Sequence, residues 1–178
     1  MLRMKFKPRF IAAFRSGKKQ TSLRMLDFKC RRYDGDTRFQ PLYVHSDTLK
    51  YRMHLETVEG LDLSLPPGSA VTYTTDLAGL LERQPHKTGD KIELVTEVEG
   101  GDPVPFATAT IGNILVIKGT QIDGITAITD GFNRDRDPLC ELLAFLRDVY
   151  HTADPTKEMY WLYVFTNVQM LPLWGGEA

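Results

Sequence analysis

The feature that most constrains the fold is a series of short segments, separated by turns, that follows Pro85. Apolar and polar side chains alternate over residues 91–98, which is typical of a half-buried strand. Turn residues precede this segment at 88–90 and follow it at 100–103. We predict three further short strands, at 106–110, 114–118 and 121–128. Strands this short need partners, so this half of the chain is expected to form a sheet.

The C-terminal part adds a helix and one more strand. Asp137 is placed to cap the helix, and Pro138 suits its first position. Its apolar stripe consists of Leu139, Leu142, Leu143, Leu146 and Val149. Residues 159–166 are aromatic and apolar on both faces, which predicts a strand inside the sheet.

A short helix is predicted near the N-terminus, over residues 8–16. Pro8 suits its first turn, and Gly17 is placed to end it. Residues 17–24 then form a loop that enters a strand. The order of helix, many strands, helix and strand favours an α+β fold with a curved or closed sheet.

The segment 25–85 is predicted to be rich in strands and turns. An Asp-Gly turn lies within 33–36, and side chains alternate over 51–57 and 61–65. Residues 76–84 fit a short helix capped by Asp76. We therefore predict two parts, a core domain of 1–24 and 86–178 and an inserted β-rich segment of 25–85.

Charge is distributed unevenly along a chain whose net charge is −1. Residues 1–33 contain 11 Lys and Arg against one acid, a local charge of +10. Such a basic segment attracts phosphate or nucleic acid, although solvated side chains on a helix and a hairpin explain it equally well. The chain lacks a run of about 18 apolar residues, and Cys30 and Cys140 do not form a disulfide framework. We expect a soluble cytoplasmic protein without a membrane partner.

The loop 17–24 carries the first group of candidate catalytic residues. Ser22 and Arg24 point to one side of an extended segment, and Lys19 lies on the preceding turn within reach of Ser22. A neutral lysine can take the proton of a hydroxyl, and burial or neighbouring cations such as Lys18 lower its pKa. An arginine binds phosphate or a carbonyl oxygen with its planar fork. The simpler interpretation, a basic turn with Ser22 bonded to the backbone, is favoured by spacing alone.

An acid for this site is available on the turn at 128–132. Asp130 is placed to orient Lys19 or to accept a proton, and Asp135 and Glu141 compete for that role. A solvated turn with Asp130 bonded to backbone amides is the simpler interpretation. The four histidines have no metal-ligand spacing, and phosphate-loop and dinucleotide motifs are absent, so we predict neither a metal nor a cofactor.

Four blocks of the sequence, in order, resemble the ASCH domain family, whose members are relatives of the PUA fold. The first block runs from Phe10 to Arg24 and contains Gly17-x-Lys19-x-x-Ser22-x-Arg24. The others are residues 87–94, then 130–132 with the following helix, and a closing strand at 159–166. The resemblance implies an α+β fold built on a PUA-like β-barrel, with 25–85 as a large insertion.

The resemblance extends to small amidohydrolases that deacetylate N4-acetylcytidine with a Lys, a Thr and a Glu. The Lys falls on Lys19, the Thr on Ser22 and the Glu on Asp130. It implies Ser22 as nucleophile, Lys19 as its base and Asp130 as the group that orients Lys19. We assign substrate or phosphate binding to three further residues, Arg24, Lys18 and Thr21.

Three functions are compatible with these patterns. The first is an amidohydrolase acting on an acylated nucleoside or nucleotide. The second is a non-catalytic module that binds RNA or a modified base, which needs no hydroxyl at Ser22. The third is an interaction protein that contacts its partner through 25–85. We rank the enzyme first, because a hydroxyl stands beside the lysine.

Overall fold

The structure, a computed structural model, describes residues 1–26, 39–45, 48–54, 70–76, 81–82 and 84–172, with the ranges between 39 and 76 described as backbone only. Within these ranges there are eight strands, β1 (Leu2–Phe6), β2 (Thr21–Met25), β3 (Phe39–His45), β4 (Thr48–His54), β5 (Ala70–Asp76), β6 (Lys91–Thr96), β7 (Val104–Lys118) and β8 (Met159–Met170). The α-helices described over their whole length are α1 (Ile11–Arg15), α2 (Gly124–Thr129) and α3 (Pro138–Tyr150). In the described part of the chain, 3-10 turns cover Pro8–Phe10, Gly119–Gln121 and Pro155–Lys157.

Contacts divide the chain into two compact units, Met1–Met25 with Pro85–Ala178 and Leu26–Gln84. The first unit is α+β and contains a curled five-stranded sheet in the order β1-β6-β7-β8-β2. Strand β1 is parallel to β6, and the other neighbours in this sheet are antiparallel. The register between β7 and β8 shifts twice, and such bulges increase the local twist of a sheet.

In the second unit, β3, β4 and β5 form an antiparallel sheet of their own. The strand predicted over 51–57 corresponds in part to β4. The turn predicted at 33–36 and the alternation at 61–65 lie outside the described residues. Of the helix predicted over 76–84, Asp76 is instead the last residue of β5, and Leu81 and Glu82 are helical.

Several elements of the first unit agree with the patterns that predicted them. The helical segment 8–15 ends before Gly17, whose φ of +70° is the left-handed conformation that glycine adopts easily. The side chain of Asp137 accepts from the amide of Cys140 at 3.1 Å and caps α3. Strand β8 is hydrogen-bonded on both sides, to β7 and β2, as its apolar faces predict.

The prediction of a strand over 121–128 was wrong, because this segment is mostly helical. The Asp123 side chain accepts from the amide of Thr126 at 2.8 Å and from its hydroxyl at 2.7 Å, which caps α2. Such a cap satisfies the first amides of a helix, and here it outweighs the preference of Ile and Thr for strands. The two strands predicted at 106–110 and 114–118 are one continuous strand, β7.

The core of the first unit is built on aromatic rings from the sheet and from α1. The Phe6 ring lies edge-on to that of Phe14, with centroids 4.9 Å apart. Phe106 and Phe165 lie 5.6 Å and 6.0 Å from Phe14. Since all four are at least nine-tenths buried, α1 is held against the sheet directly before the loop that carries Lys19.

Gly119, at the end of β7, is predicted to tolerate no side chain. A Cβ there would lie 2.2 Å from the carbonyl oxygen of Pro155 and 2.7 Å from the backbone of Thr156. We expect Gly119→Ala to lower the free energy of unfolding by about 3 kcal/mol, because backbone atoms must move. Gly124→Ala is the matched control, since no atom lies within 4 Å of its Cβ. Urea denaturation of both variants checks this; equal stabilities would contradict it.

Candidate active site

The candidate site forms where two segments 111 residues apart in sequence come together. The loop after α1 is anchored by the amide of Lys19, which donates to the carbonyl of Ala13 at 3.0 Å. The amide of Gln20 then donates to the carbonyl of Thr129 at 2.8 Å, so the loop pairs with the end of α2. Lys19 and Asp130 form an isolated β-bridge at this point. The backbone therefore places these two side chains next to each other.

Lys19 and Asp130 form a buried ion pair. Their side chains are 1% and 6% exposed, and the Lys19 ammonium contacts the Asp130 carboxylate through Oδ1. Lys19 Nζ also donates to the main-chain oxygen of Asp130 at 2.6 Å. The other carboxylate oxygen, Oδ2, accepts from the amide of Leu23 at 3.0 Å. Both oxygens of Asp130 are thus bonded, and the acid links the loop of Lys19 to strand β2.

Gly131 allows the pair to approach this closely. Its φ is +95°, and a Cβ there would lie 3.1 Å from the Cβ of Lys19 and 3.2 Å from that of Ala13. Both the backbone conformation and the space favour glycine at this position. The Asp-Gly dipeptide at 130–131 therefore forms a turn and also packs closely against the segment that contains Ala13 and Lys19.

Aromatic rings surround the ammonium of Lys19. Its Nζ lies 4.5 Å from the ring centroid of Phe10, 5.5 Å from that of Phe6 and 5.7 Å from that of Phe14. A cation near a ring face is attracted to the ring's quadrupole, but these rings also exclude water. The lysine is consequently in an apolar environment with one anionic neighbour.

The environment changes the proton affinity of both members of the pair. Burial lowers the pKa of Lys19, and the adjacent Asp130 carboxylate opposes this only in part. Burial likewise raises the pKa of Asp130, against the effect of Lys19. The desolvation of the charged forms therefore exceeds their mutual attraction. A lysine in this situation loses its proton at lower pH than an ordinary one, as a general base requires.

A cavity of about 220 Å³ opens onto this pair. Its wall includes four of the predicted site residues, Lys19, Ser22, Arg24 and Asp130. The remaining lining residues are Lys5, Phe6, Lys7, Phe10, Leu23, Glu97, Phe145, Val149 and Tyr150. Among the described residues, Lys19 Nζ donates two hydrogen bonds, and both go to Asp130. Ser22 and Lys19 therefore line the same cavity without a hydrogen bond between their side chains.

Arg24 joins the two edges of the five-stranded sheet. From β2 its Nη2 donates to the main-chain oxygen of Lys5 in β1 at 2.5 Å, and its guanidinium lies 4.8 Å from the ring centroid of Phe6. Strands β1 and β2 are the two edges of this sheet, and both contribute to the cavity wall. The cavity therefore lies where the sheet curls back towards itself. At this point the Arg24 side chain connects the two edge strands, and no ladder of backbone hydrogen bonds joins them among the described residues.

Two predicted site residues are not part of the cavity wall. Lys18 is exposed, and Thr21 is buried with its hydroxyl 3.3 Å from that of Thr129. The two acids that competed with Asp130 are also elsewhere. Asp135 is exposed, and Glu141 pairs with Arg136 at 3.5 Å. Asp130 is the acid beside Lys19.

Sequence reasoning missed the residues that β1 and α3 bring to the cavity. Lys5 and Lys7 alternate with the buried Phe6, a pattern that would have indicated a strand before Pro8. Val149 belongs to the apolar stripe predicted for α3, and Phe145 was not part of that stripe. Their position at a cavity depends on contacts between distant segments, which periodicity does not reveal.

Within the described residues, no three His, Cys, Asp or Glu side chains are grouped as ligands for a metal ion. Nor does any helix in that part of the chain have the length and apolarity needed to cross a membrane.

Comparison with known proteins finds a distant structural similarity. No protein-family model and no curated protein matches the chain. Among solved structures it is similar to protein EF3133 from Enterococcus faecalis V583, of family DUF984, at 12% identity and a TM-score of 0.46. The match covers 91% of this chain and 68% of that one.

We predict that substitutions of Lys19 and Asp130 have non-additive effects on the free energy of unfolding. Lys19→Met or Asp130→Asn alone leaves a buried charge without its partner and should cost about 3 kcal/mol of unfolding free energy. The double variant should lose at least about 1 kcal/mol less than the sum of the two single losses. Urea denaturation of all four proteins provides the measurement.

The exposed pair Arg136 and Glu141 supplies the matched control cycle, since their side chains are 72% and 36% exposed. The coupling between Arg136→Met and Glu141→Gln should stay below about 0.5 kcal/mol, because solvent screens the pair. Additive losses at Lys19 and Asp130 would show that the buried pair is not a unit.

Proposed function

We propose that this chain is an amidohydrolase that removes an acyl group from a modified nucleoside or nucleotide, on a PUA-like barrel of the ASCH type. The observation that carries the proposal is a lysine, buried beside a carboxylate, in the wall of a cavity that also contains a hydroxyl. Lys19, Asp130 and Ser22 are those residues. A nucleophile, a base and an orienting acid are the components of covalent catalysis by a hydroxyl.

In the proposed reaction, Ser22 Oγ attacks the carbonyl carbon of the amide while neutral Lys19 takes the hydroxyl proton. Asp130 stabilises the ammonium that forms. The C–N bond then breaks, and the departing amine receives the proton from Lys19. A water molecule attacks the resulting acyl-serine ester, gives one proton to Lys19 and releases the carboxylic acid, with that proton returned to Ser22. Because Lys19 is bonded to Asp130 at rest, its amine must turn towards Ser22 when substrate binds.

The size and lining of the cavity support a ring with a short substituent. A cavity of about 150 Å³ accommodates benzene, so about 220 Å³ holds a pyrimidine with an acetamido group. Phe6 and Phe10 offer apolar surface for the ring. An N4-acetylcytidine-like compound fits this description, with its ribose towards the cavity mouth.

A second candidate, the RNA- or modified-base-binding module, is favoured by one observation. Apart from the pair of Lys19 and Asp130, three cations line the cavity, Lys5, Lys7 and Arg24, and cations attract phosphates. That function requires neither the hydroxyl of Ser22 nor a neutral Lys19. The two functions are therefore separated by the effect of removing the hydroxyl.

The direct test is hydrolysis of N4-acetylcytidine by the purified protein. We expect conversion to cytidine, and Ser22→Ala should reduce kcat by about 1,000-fold or more, because the nucleophile is lost. Ser16→Ala is the control, since the Ser16 hydroxyl is exposed and bonds the carbonyl of Ala13 at 3.2 Å. Chromatography of the product measures both. Full activity in Ser22→Ala would exclude the mechanism, and no conversion by any form would favour the binding module.

A second prediction concerns pH. Since only neutral Lys19 acts as a base, kcat/KM should rise with pH through the pKa of Lys19, which burial places below that of an ordinary lysine. Asp130→Asn removes the charge that favours the ammonium form and should move this rise to lower pH, while reducing the maximal rate. A profile that falls with rising pH, or one that Asp130→Asn moves to higher pH, would contradict the assignment of the base.

A further inference from the structure

The mouth of the cavity holds a group of charges that the proposed reaction does not use. In β1 the side chains of Met4 and Phe6 are buried, so Lys5 and the following Lys7 lie on the opposite, exposed side. Glu97 directly follows β6, the parallel neighbour of β1. All three charged residues line the cavity.

Both lysines hold the same carboxylate. Lys5 Nζ lies 2.5 Å from Glu97 Oε1, and Lys7 Nζ lies 3.3 Å from Glu97 Oε2. These contacts lower the pKa of Glu97, so the carboxylate is charged near neutral pH. The side chains are 46% to 52% exposed. Solvent-exposed pairs contribute little net free energy, so another anion can replace this carboxylate at low cost.

The charges at the cavity favour an anionic ligand. Lys5, Lys7 and Arg24 provide three positive charges against one negative charge of Glu97, which leaves +2. The pair of Lys19 and Asp130 adds no net charge, whichever of the two carries the proton they share. A concave site with an excess of one sign raises the local concentration of ligands of the opposite sign. Glu97 thus occupies, within the protein, the position of an anion that the two lysines can bind.

We infer that Lys5 and Lys7 form a subsite for a phosphate group of the ligand, and that Glu97 is displaced when this phosphate binds. The inference rests on the proposed function, because it takes a nucleobase to be the group inside the cavity. The ligand class is then a nucleoside phosphate in preference to a free nucleoside. Glu97 determines specificity, because its carboxylate competes with the phosphate and leaves neutral ligands unaffected.

The test is isothermal titration calorimetry with cytidine and cytidine 5′-monophosphate, at low and at physiological salt. We expect the monophosphate to bind at least about 10-fold more tightly, with an advantage that shrinks as salt screens the lysines. Lys5→Gln or Lys7→Gln should remove most of this advantage. Lys91→Gln, an exposed lysine at the other end of β6 and outside the cavity wall, should preserve it. Glu97→Gln should strengthen binding of the monophosphate several-fold relative to binding of cytidine.

Any one of three results would overturn the inference. These are equal affinities for the two ligands, no binding of the monophosphate, and a Glu97→Gln variant whose affinity for the monophosphate is not increased relative to its affinity for cytidine. A further titration uses a cytidine oligonucleotide that has internal phosphates and no terminal phosphate. Its affinity identifies the source of the phosphate. Tighter binding of the oligonucleotide than of the monophosphate, lost in Lys5→Gln, assigns the subsite to a nucleic-acid backbone, and the reverse order assigns it to a free nucleotide.

This experiment separates the subsite from the reaction. If the protein hydrolyses N4-acetylcytidine but binds cytidine and its monophosphate equally well, the proposed reaction is supported and the proposed subsite is refuted. If the protein prefers the monophosphate but hydrolyses no acylated form, the proposed subsite is supported and the proposed reaction is refuted.

Discussion

The buried ion pair between Lys19 and Asp130 is the interaction on which the candidate site depends. Taking two charges out of water costs several kcal/mol each, and the attraction within the pair and its hydrogen bonds offset this cost only in part. The backbone bridge sets the spacing, Gly131 leaves room for the lysine stem, and the amide of Leu23 bonds the second carboxylate oxygen. A merely structural link could have been made from apolar side chains at lower cost, which is why we attribute a chemical role to the pair.

The five-stranded sheet determines what surrounds this pair. Its two edge strands, β1 and β2, approach each other, and the side chain of Arg24 spans the interval by bonding the carbonyl of Lys5. A hydrogen-bonded ladder at this place would fill the space with backbone. A single arginine leaves a cavity whose inner end is the buried pair and whose mouth carries Lys5, Lys7 and Glu97. The incomplete closure of the sheet and the existence of the site are therefore the same structural fact.

Local patterns predicted the elements that local interactions determine. The end of the first helix at Gly17 and the cap of α3 at Asp137 follow from interactions within a few residues. The segment 121–128 was misassigned because the cap at Asp123 outweighs the strand preference of its β-branched residues. At the site, the loop motif contained Lys19 and the turn at 128–132 contained Asp130. The cationic mouth was missed, since it depends on a parallel pairing of strands some 90 residues apart. The catalytic roles of these residues, the ASCH assignment and the division into domains stay predictions.

The most direct test of this account is a heteronuclear NMR titration of the free protein that follows the Lys19 side-chain amine and the Asp130 carboxyl carbon. If burial outweighs the mutual attraction of the pair, the pKa of Lys19 lies below its ordinary value of 10.5 and that of Asp130 lies above 3.8. Asp130→Asn should lower the pKa of Lys19 further. A Lys19 pKa at or above 10.5 would mean that the ion pair stabilises the charged lysine, and it would remove the base from the proposed mechanism.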